Sequence, residues 1–164
     1  MLKNNISIEL GSLPLFLGKV KSKLSNLQSI SRAIQVGEHH YDIGGEKGEK
    51  LYDIFLDRKH RLYSCAYWKD STKTLEEAQQ NKINHIIKKL NLKPGQKLLD
   101  IGCGWGGMAF EIARQSQCEV KGISLSENQI NYCKKKAKEL NLDNQVDFEF
   151  CDYREVRDKF DRIV

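Results

Sequence analysis

Lys97-Leu98-Leu99-Asp100-Ile101-Gly102-Cys103-Gly104-Trp105-Gly106-Gly107 decides the fold. A short apolar run, Lys97 to Ile101, meets a turn dense in glycine, and a helical pattern follows from Gly106 to Gln115. That is a strand, a tight turn and a helix. Downstream the alternation repeats. Cys118 to Ile123 is a second strand. Ser126 to Leu140 is a second helix with Ile130, Cys133, Ala137 and Leu140 on one face. Val146 to Phe150 is a third strand, and Asp161 to Val164 reads as the start of a buried fourth. Short strands alternating with helices predict an α/β fold with a parallel, doubly wound sheet. Upstream, Thr74-x-x-Glu77 is a capping box, and Leu75, Ala78, Ile83, Ile86, Ile87 and Leu90 form the stripe of a helix that ends before Pro94-Gly95.

Composition narrows the class. The chain has 164 residues, 40% hydrophobic and 30% charged, with net charge +5. It contains no run of about 18 apolar residues, so no membrane-spanning helix is expected. Five cysteines without a Cys-x-x-Cys pair argue against a disulfide framework or a zinc site, and no metal is expected. A reducing, cytoplasmic setting fits. Leu10 to Gly18 is mildly apolar, but Glu9 precedes it and Pro14 interrupts it, so it does not read as a signal peptide. Residues 1–40 carry Lys3, Lys19, Lys21, Lys23 and Arg32 against Glu9 and Glu38, a net +3. Such an arm suits an anionic membrane surface. Its lysines are not interleaved with aromatics, which argues against nucleic acid. The chain divides into a basic arm (1–38), a helical cap and lid segment (39–93) and the sheet region (94–164). Within the cap, Tyr52, Phe55, Tyr63, Tyr67 and Trp68 crowd into 17 residues and suggest a packed cap or a ligand pocket.

The glycine loop satisfies two fingerprints. Gly102-x-Gly104-x-x-Gly107 fits dinucleotide binding. Asp100-x-Gly102-x-Gly104-x-Gly106 resembles the acidic-first loop of S-adenosylmethionine (SAM) methyltransferases. A dinucleotide calls for a carboxylate about 20 residues on, for the ribose hydroxyls. The second strand ends Gly122-Ile123-Ser124-Leu125-Ser126, with no acid at its tip. SAM carries an ammonium and a sulfonium, and an acid beside the glycines suits such a ligand. Ser126-x-x-Gln129 reads either as a capping box alone or as one whose Gln129 also reaches ribose hydroxyls from the first turn of the helix. Asp152 and Tyr153 follow the third strand, at the carboxyl edge where open sheets bind ligands; Tyr153 suits an adenine face and Asp152 its amino group.

Taken in order, several segments resemble the cyclopropane-fatty-acyl-phospholipid synthase family. They are His40-Tyr41-Asp42-Ile43-Gly44, Tyr63-Ser64-Cys65-Ala66-Tyr67-Trp68, Thr74-Leu75-Glu76-Glu77-Ala78-Gln79, Leu98 to Gly106, Gly122 to Ser126 with Gln129, Asp152-Tyr153-Arg154 and Phe160 to Val164. Mycolic acid cyclopropane synthases and plant benzylisoquinoline N-methyltransferases share much of the pattern. The resemblance implies a Rossmann-like SAM-dependent methyltransferase fold, of which this chain holds the first half, behind a helical cap. It implies methylene transfer from SAM to the cis double bond of an unsaturated phospholipid acyl chain, with bicarbonate taking the proton as the cyclopropane closes.

Site roles follow from the same resemblance. Tyr63 and Ser64 touch SAM, and Cys65 helps hold bicarbonate. Gly102, Cys103, Gly104, Trp105 and Gly106 approach the methionine part, with Asp100 beneath. Ser124, Leu125, Ser126 and Gln129 reach the ribose, and Asp152, Tyr153 and Arg154 the adenine side. The substrate implies peripheral membrane association, and a homodimer is left open. The alternatives are a relative acting on another lipid or a small amine, and a non-catalytic SAM-binding fragment. A nicotinamide oxidoreductase is disfavoured by the missing acid. Two departures stand out. Gly45-Glu46-Lys47-Gly48 lengthens a loop near the lid. The chain also stops before the glutamate, histidine and tyrosine that complete the family's bicarbonate site, so alone it is expected to be marginally stable and inactive.

Overall fold

The computed structural model describes residues 48–164, with Leu17, Gly18 and Ser29 ahead of them. Most of the basic arm, the His40–Gly44 motif and most of the lengthened loop lie outside the described residues. The order is α1 (Gly48–Phe55), α2 (Leu75–Leu90), β1 (Lys97–Ile101), α3 (Gly107–Ser116), β2 (Glu119–Ser124), α4 (Glu127–Glu139), β3 (Val146–Phe150), a 3-10 turn (Tyr153–Glu155) and β4 (Arg162–Ile163). The four strands form one sheet in the order β3-β2-β1-β4. Every pairing is parallel, with Leu98 opposite Val120 and Val120 opposite Val146. The carboxyl ends of all four strands therefore share one edge.

Local chemistry sets the helix limits. Thr74 Oγ1 accepts from Glu77 N at 3.2 Å and starts α2, while Asn91, left-handed at φ 47°, ends it. Ser126 Oγ accepts from Gln129 N at 3.2 Å and starts α4. The helix α3 begins one residue later than the pattern predicts, at Gly107, because Gly106 sits at φ 81°, outside helical geometry. The core lies between sheet and helices, where Leu98, Val120 and Phe148 meet Ile83, Ile112 and Cys133.

The last strand differs from expectation. Asp161 to Val164 reads as a buried strand, but β4 is a two-residue edge strand with Ile163 60% exposed. It pairs with β1 on one side only, and among the described residues no strand or helix covers its other side. No described helix is long and apolar enough to cross a membrane.

Candidate active site

A cavity of about 750 Å³ runs along the carboxyl edge of the sheet. Its floor follows the strand order. Asp152, Tyr153 and Arg154 lie beyond β3, Ser124 and Leu125 at the end of β2, Asp100 to Trp105 at and beyond the end of β1, and Val164 beyond β4. Lys82 and Ile86 of α2 and the segment Arg61 to Ser64 close it from the cap side. The helix α2 belongs to the β4 end, since Leu90 O accepts from Arg162 Nε at 2.8 Å.

The glycine loop is open to this space. Gly102 and Gly104 have φ of 75° and 55°, and a Cβ at either would meet nothing within 4 Å. Side chains are kept out here by backbone conformation and by the need for close approach, not by packing. Gly107 is the opposite case. A Cβ there would lie 2.0 Å from the carbonyl oxygen of His60, so the cap segment sits directly on the first turn of α3.

Asp100 is the main electrostatic feature. Its Oδ2 is buried and has no hydrogen-bond partner among the described residues. Burial alone pushes its pKa up to about 7, as expected for a carboxylate stripped of water without a compensating charge. At the β3 end the acid is already satisfied. Asp152 accepts from Arg154 N at 2.9 Å and Arg154 Nε at 2.8 Å on Oδ1, and from Arg154 Nη2 at 2.6 Å on Oδ2. The Arg154 side chain bonds hold the Asp152 carboxyl down at about 2. Tyr153 beside it is 58% exposed, with the Arg154 guanidinium 5.8 Å from its ring.

Between these ends, Ser124 Oγ donates to Gln129 Oε1 at 2.8 Å and accepts from Ser126 N at 3.2 Å. The amide nitrogen of Gln129 is left to donate into the cavity it lines. The Cys103 and Cys133 thiols both point at Gly104 O, at 3.9 and 3.3 Å. The adjoining Cys133 thiol and burial push the Cys103 thiol upward, so it stays neutral.

The cap segment is held by three buried side chains, Asp57, Arg61 and Gln79. Asp57 accepts from His60 N at 2.6 Å and Leu62 N at 2.9 Å, and Arg61 between them turns left-handed at φ 51°. The Arg61 guanidinium then lies 4.7 Å from the Trp105 ring and 4.6 Å from Tyr132, a cation held against two ring faces. Gln79, buried on α2, donates to Ser64 O at 3.1 Å and Leu62 O at 3.3 Å. Gln79→Ala is expected to lower stability by about 2 kcal/mol, because two strand-like carbonyls lose their donor. Urea titration checks this, and an unchanged midpoint would show that the segment is held by other contacts.

Most sequence-predicted residues reach the cavity: Tyr63, Ser64, Asp100, Gly102, Cys103, Gly104, Trp105, Ser124, Leu125, Gln129, Asp152, Tyr153 and Arg154 line it. Three do not. Gly106 packs against Phe110 and Cys133 behind the loop, Ser126 is buried as the α4 cap, and Cys65 is exposed and off the cavity wall. Arg61, Lys82, Ile86, Met108 and Val164 line it without having been singled out. Lys82 was detectable, since Ala78, Lys82 and Ile86 recur every four residues along one side of α2.

The sequence pattern described as mycolic acid cyclopropane synthetase matches residues 28–164. The chain belongs to this family. It is 43% identical, over 143 residues, to the cyclopropane-fatty-acyl-phospholipid synthase of Escherichia coli strain K12, covering 87% of this chain and 35% of that protein. The mycolic acid cyclopropane synthase CmaA1, solved in complex with SAH and CTAB, matches with a TM-score of 0.72 at 32% identity, over 79% of this chain and 44% of that one. The cyclopropane synthase MmaA2 from Mycobacterium tuberculosis matches with a TM-score of 0.73 at 32% identity, over 85% and 46%. The chain thus spans about a third of the E. coli relative and under half of either solved structure. These neighbours agree with the Rossmann-like α/β fold expected from the loop.

Proposed function

We propose that the chain forms the SAM-binding part of a synthase that builds cyclopropanes on unsaturated phospholipid acyl chains. The observation that carries the cofactor assignment is Asp100, a buried carboxylate without a partner among the described residues, placed beside an open glycine loop. A pyrophosphate brought to the same place would meet an acid of its own sign. SAM, when bound, supplies an electrophilic methyl group on a sulfonium. Asp100 then faces its ammonium, the Gln129 amide donates to the ribose hydroxyls, and Tyr153 flanks the base. Tyr63 and Ser64 close over the ligand from the cap.

The lipid assignment rests on the family and on the names of its relatives. An alkene is a weak nucleophile, so the protein's task is orientation and exclusion of water. Tyr63, Tyr67 and Trp68 remain well exposed on the cap and offer an apolar, ring-faced surface to an acyl chain. The basic arm brings the protein to a membrane surface. Cys65, next to Ser64 on the segment anchored by Gln79 but exposed and off the cavity wall, is assigned to bicarbonate on the family resemblance.

Calorimetry tests the cofactor assignment. SAM is expected to bind the chain at least about tenfold more tightly than NAD, a difference of about 1.4 kcal/mol. Preferential binding of NAD would overturn it.

A further inference from the structure

We infer that Lys82 and Ser64 form a carboxylate-binding corner at the β4 end of the cavity, which takes the α-carboxylate of SAM. The inference rests on the SAM reading above and assigns the half of the amino-acid group that Asp100 cannot serve. Lys82 Nζ donates to Ser64 Oγ at 2.7 Å. That oxygen is an acceptor in this bond, so the hydroxyl proton of Ser64 is left to donate into the cavity. The ammonium has further N–H groups of its own. Both residues line the cavity. Two donors, one of them charged, therefore converge on one place.

No described carboxylate lies within ion-pair distance of Lys82. Asp57, the acid that acts on it electrostatically, is engaged by the backbone of His60 and Leu62. Burial lowers the Lys82 pKa, the sign of an ammonium that has lost water and would regain stability from an anion. Position identifies the anion. The nucleoside contacts, Gln129 and Tyr153, belong to the β2 and β3 end, and Asp100 stands at β1. Continuing toward β4 and α2 brings the ligand's amino-acid end to Lys82. An acid for the ammonium and a lysine with a hydroxyl for the carboxylate make a receptor for a zwitterion.

Binding of SAM and of 5′-methylthioadenosine, which lacks the amino-acid group, separates this from other roles. Lys82→Met is expected to weaken SAM by about 10- to 100-fold, the loss of one charge-assisted hydrogen bond, while methylthioadenosine stays within about twofold. Lys82→Arg is expected to recover part of the loss. Ser64→Ala is expected to weaken SAM by about 3- to 10-fold with the same selectivity. Retained methylthioadenosine binding also shows that each variant is folded. Equal losses for both ligands would mark Lys82 as structural and overturn the assignment. Unchanged affinity for both ligands would overturn it too, leaving the corner to bicarbonate or to no ligand. Failure of the unsubstituted chain to bind either ligand would overturn the SAM reading itself.

Discussion

Replacing Gly107 with alanine is expected to destabilise the chain by about 3 kcal/mol or more, at the upper end of the range for overpacking a tight site. The added Cβ would stand 2.0 Å from the carbonyl oxygen of His60 and 2.8 Å from its carbon. Backbone, unlike a flexible side-chain end, cannot swing away. Relief requires the 57–62 segment to lift from α3, and that segment is tied by Asp57 to the amides of His60 and Leu62. Lifting it also pulls Arg61 from between Trp105 and Tyr132. The helical φ of Gly107 plays no part, because alanine favours a helix; left to propensity alone the change would stabilise by about 1 kcal/mol. Gly102→Ala is the control. It meets open space and suffers only the left-handed φ of 75°, a cost of about 1–2 kcal/mol. Thermal unfolding should show a Tm drop of about 6–12 °C for Gly107→Ala. A smaller drop than for Gly102→Ala would show that the cap is not seated on α3.

The contrast between these two glycines shows where sequence reading ends. Both belong to one loop motif, and nothing in the motif separates the glycine that admits a ligand from the one that admits another part of the chain. Local signals were legible. β1, β3 and α2 have the limits their patterns predict, because alternation, the Thr74 cap and the Pro94-Gly95 stop act within a few residues. The cavity floor was legible for the same reason: residues just after parallel strands must share an edge. The roof was not. Arg61 reaches the cavity only because a left-handed turn and two rings direct it, and Lys82 only because Ser64 is laid across α2 by Gln79. Cys65 shows the converse: its neighbours Tyr63 and Ser64 line the cavity while Cys65 is exposed off its wall, a placement that strict two-residue alternation, which would pair Cys65 with Tyr63, does not give.

Asp100→Asn is expected to separate stability from binding with opposite signs. The folded-state carboxyl has its pKa raised from 3.8 to about 7 by burial. A carboxyl that is harder to ionise in the fold favours the fold while protonated. Its contribution is therefore fully present below pH 3.8 and is lost as pH rises through about 7, a swing on the order of 4 kcal/mol. Asparagine is neutral throughout. The variant should lack this loss and, near pH 8, unfold at higher denaturant than the unsubstituted chain. Binding should move the other way. A buried charge pair that loses one partner forfeits about 3–5 kcal/mol, so SAM should bind the variant at least about 100-fold more weakly. The unsubstituted chain should also bind SAM more tightly as pH rises toward 7, by up to about tenfold per unit, because the ligand's ammonium requires the ionised acid and expels its proton. Calorimetry between pH 5.5 and 7 in two buffers of different ionisation enthalpy reads that proton directly. A pH-independent affinity, or equal affinity in the asparagine variant, would remove Asp100 from the ammonium and leave its buried carboxylate without a role in binding.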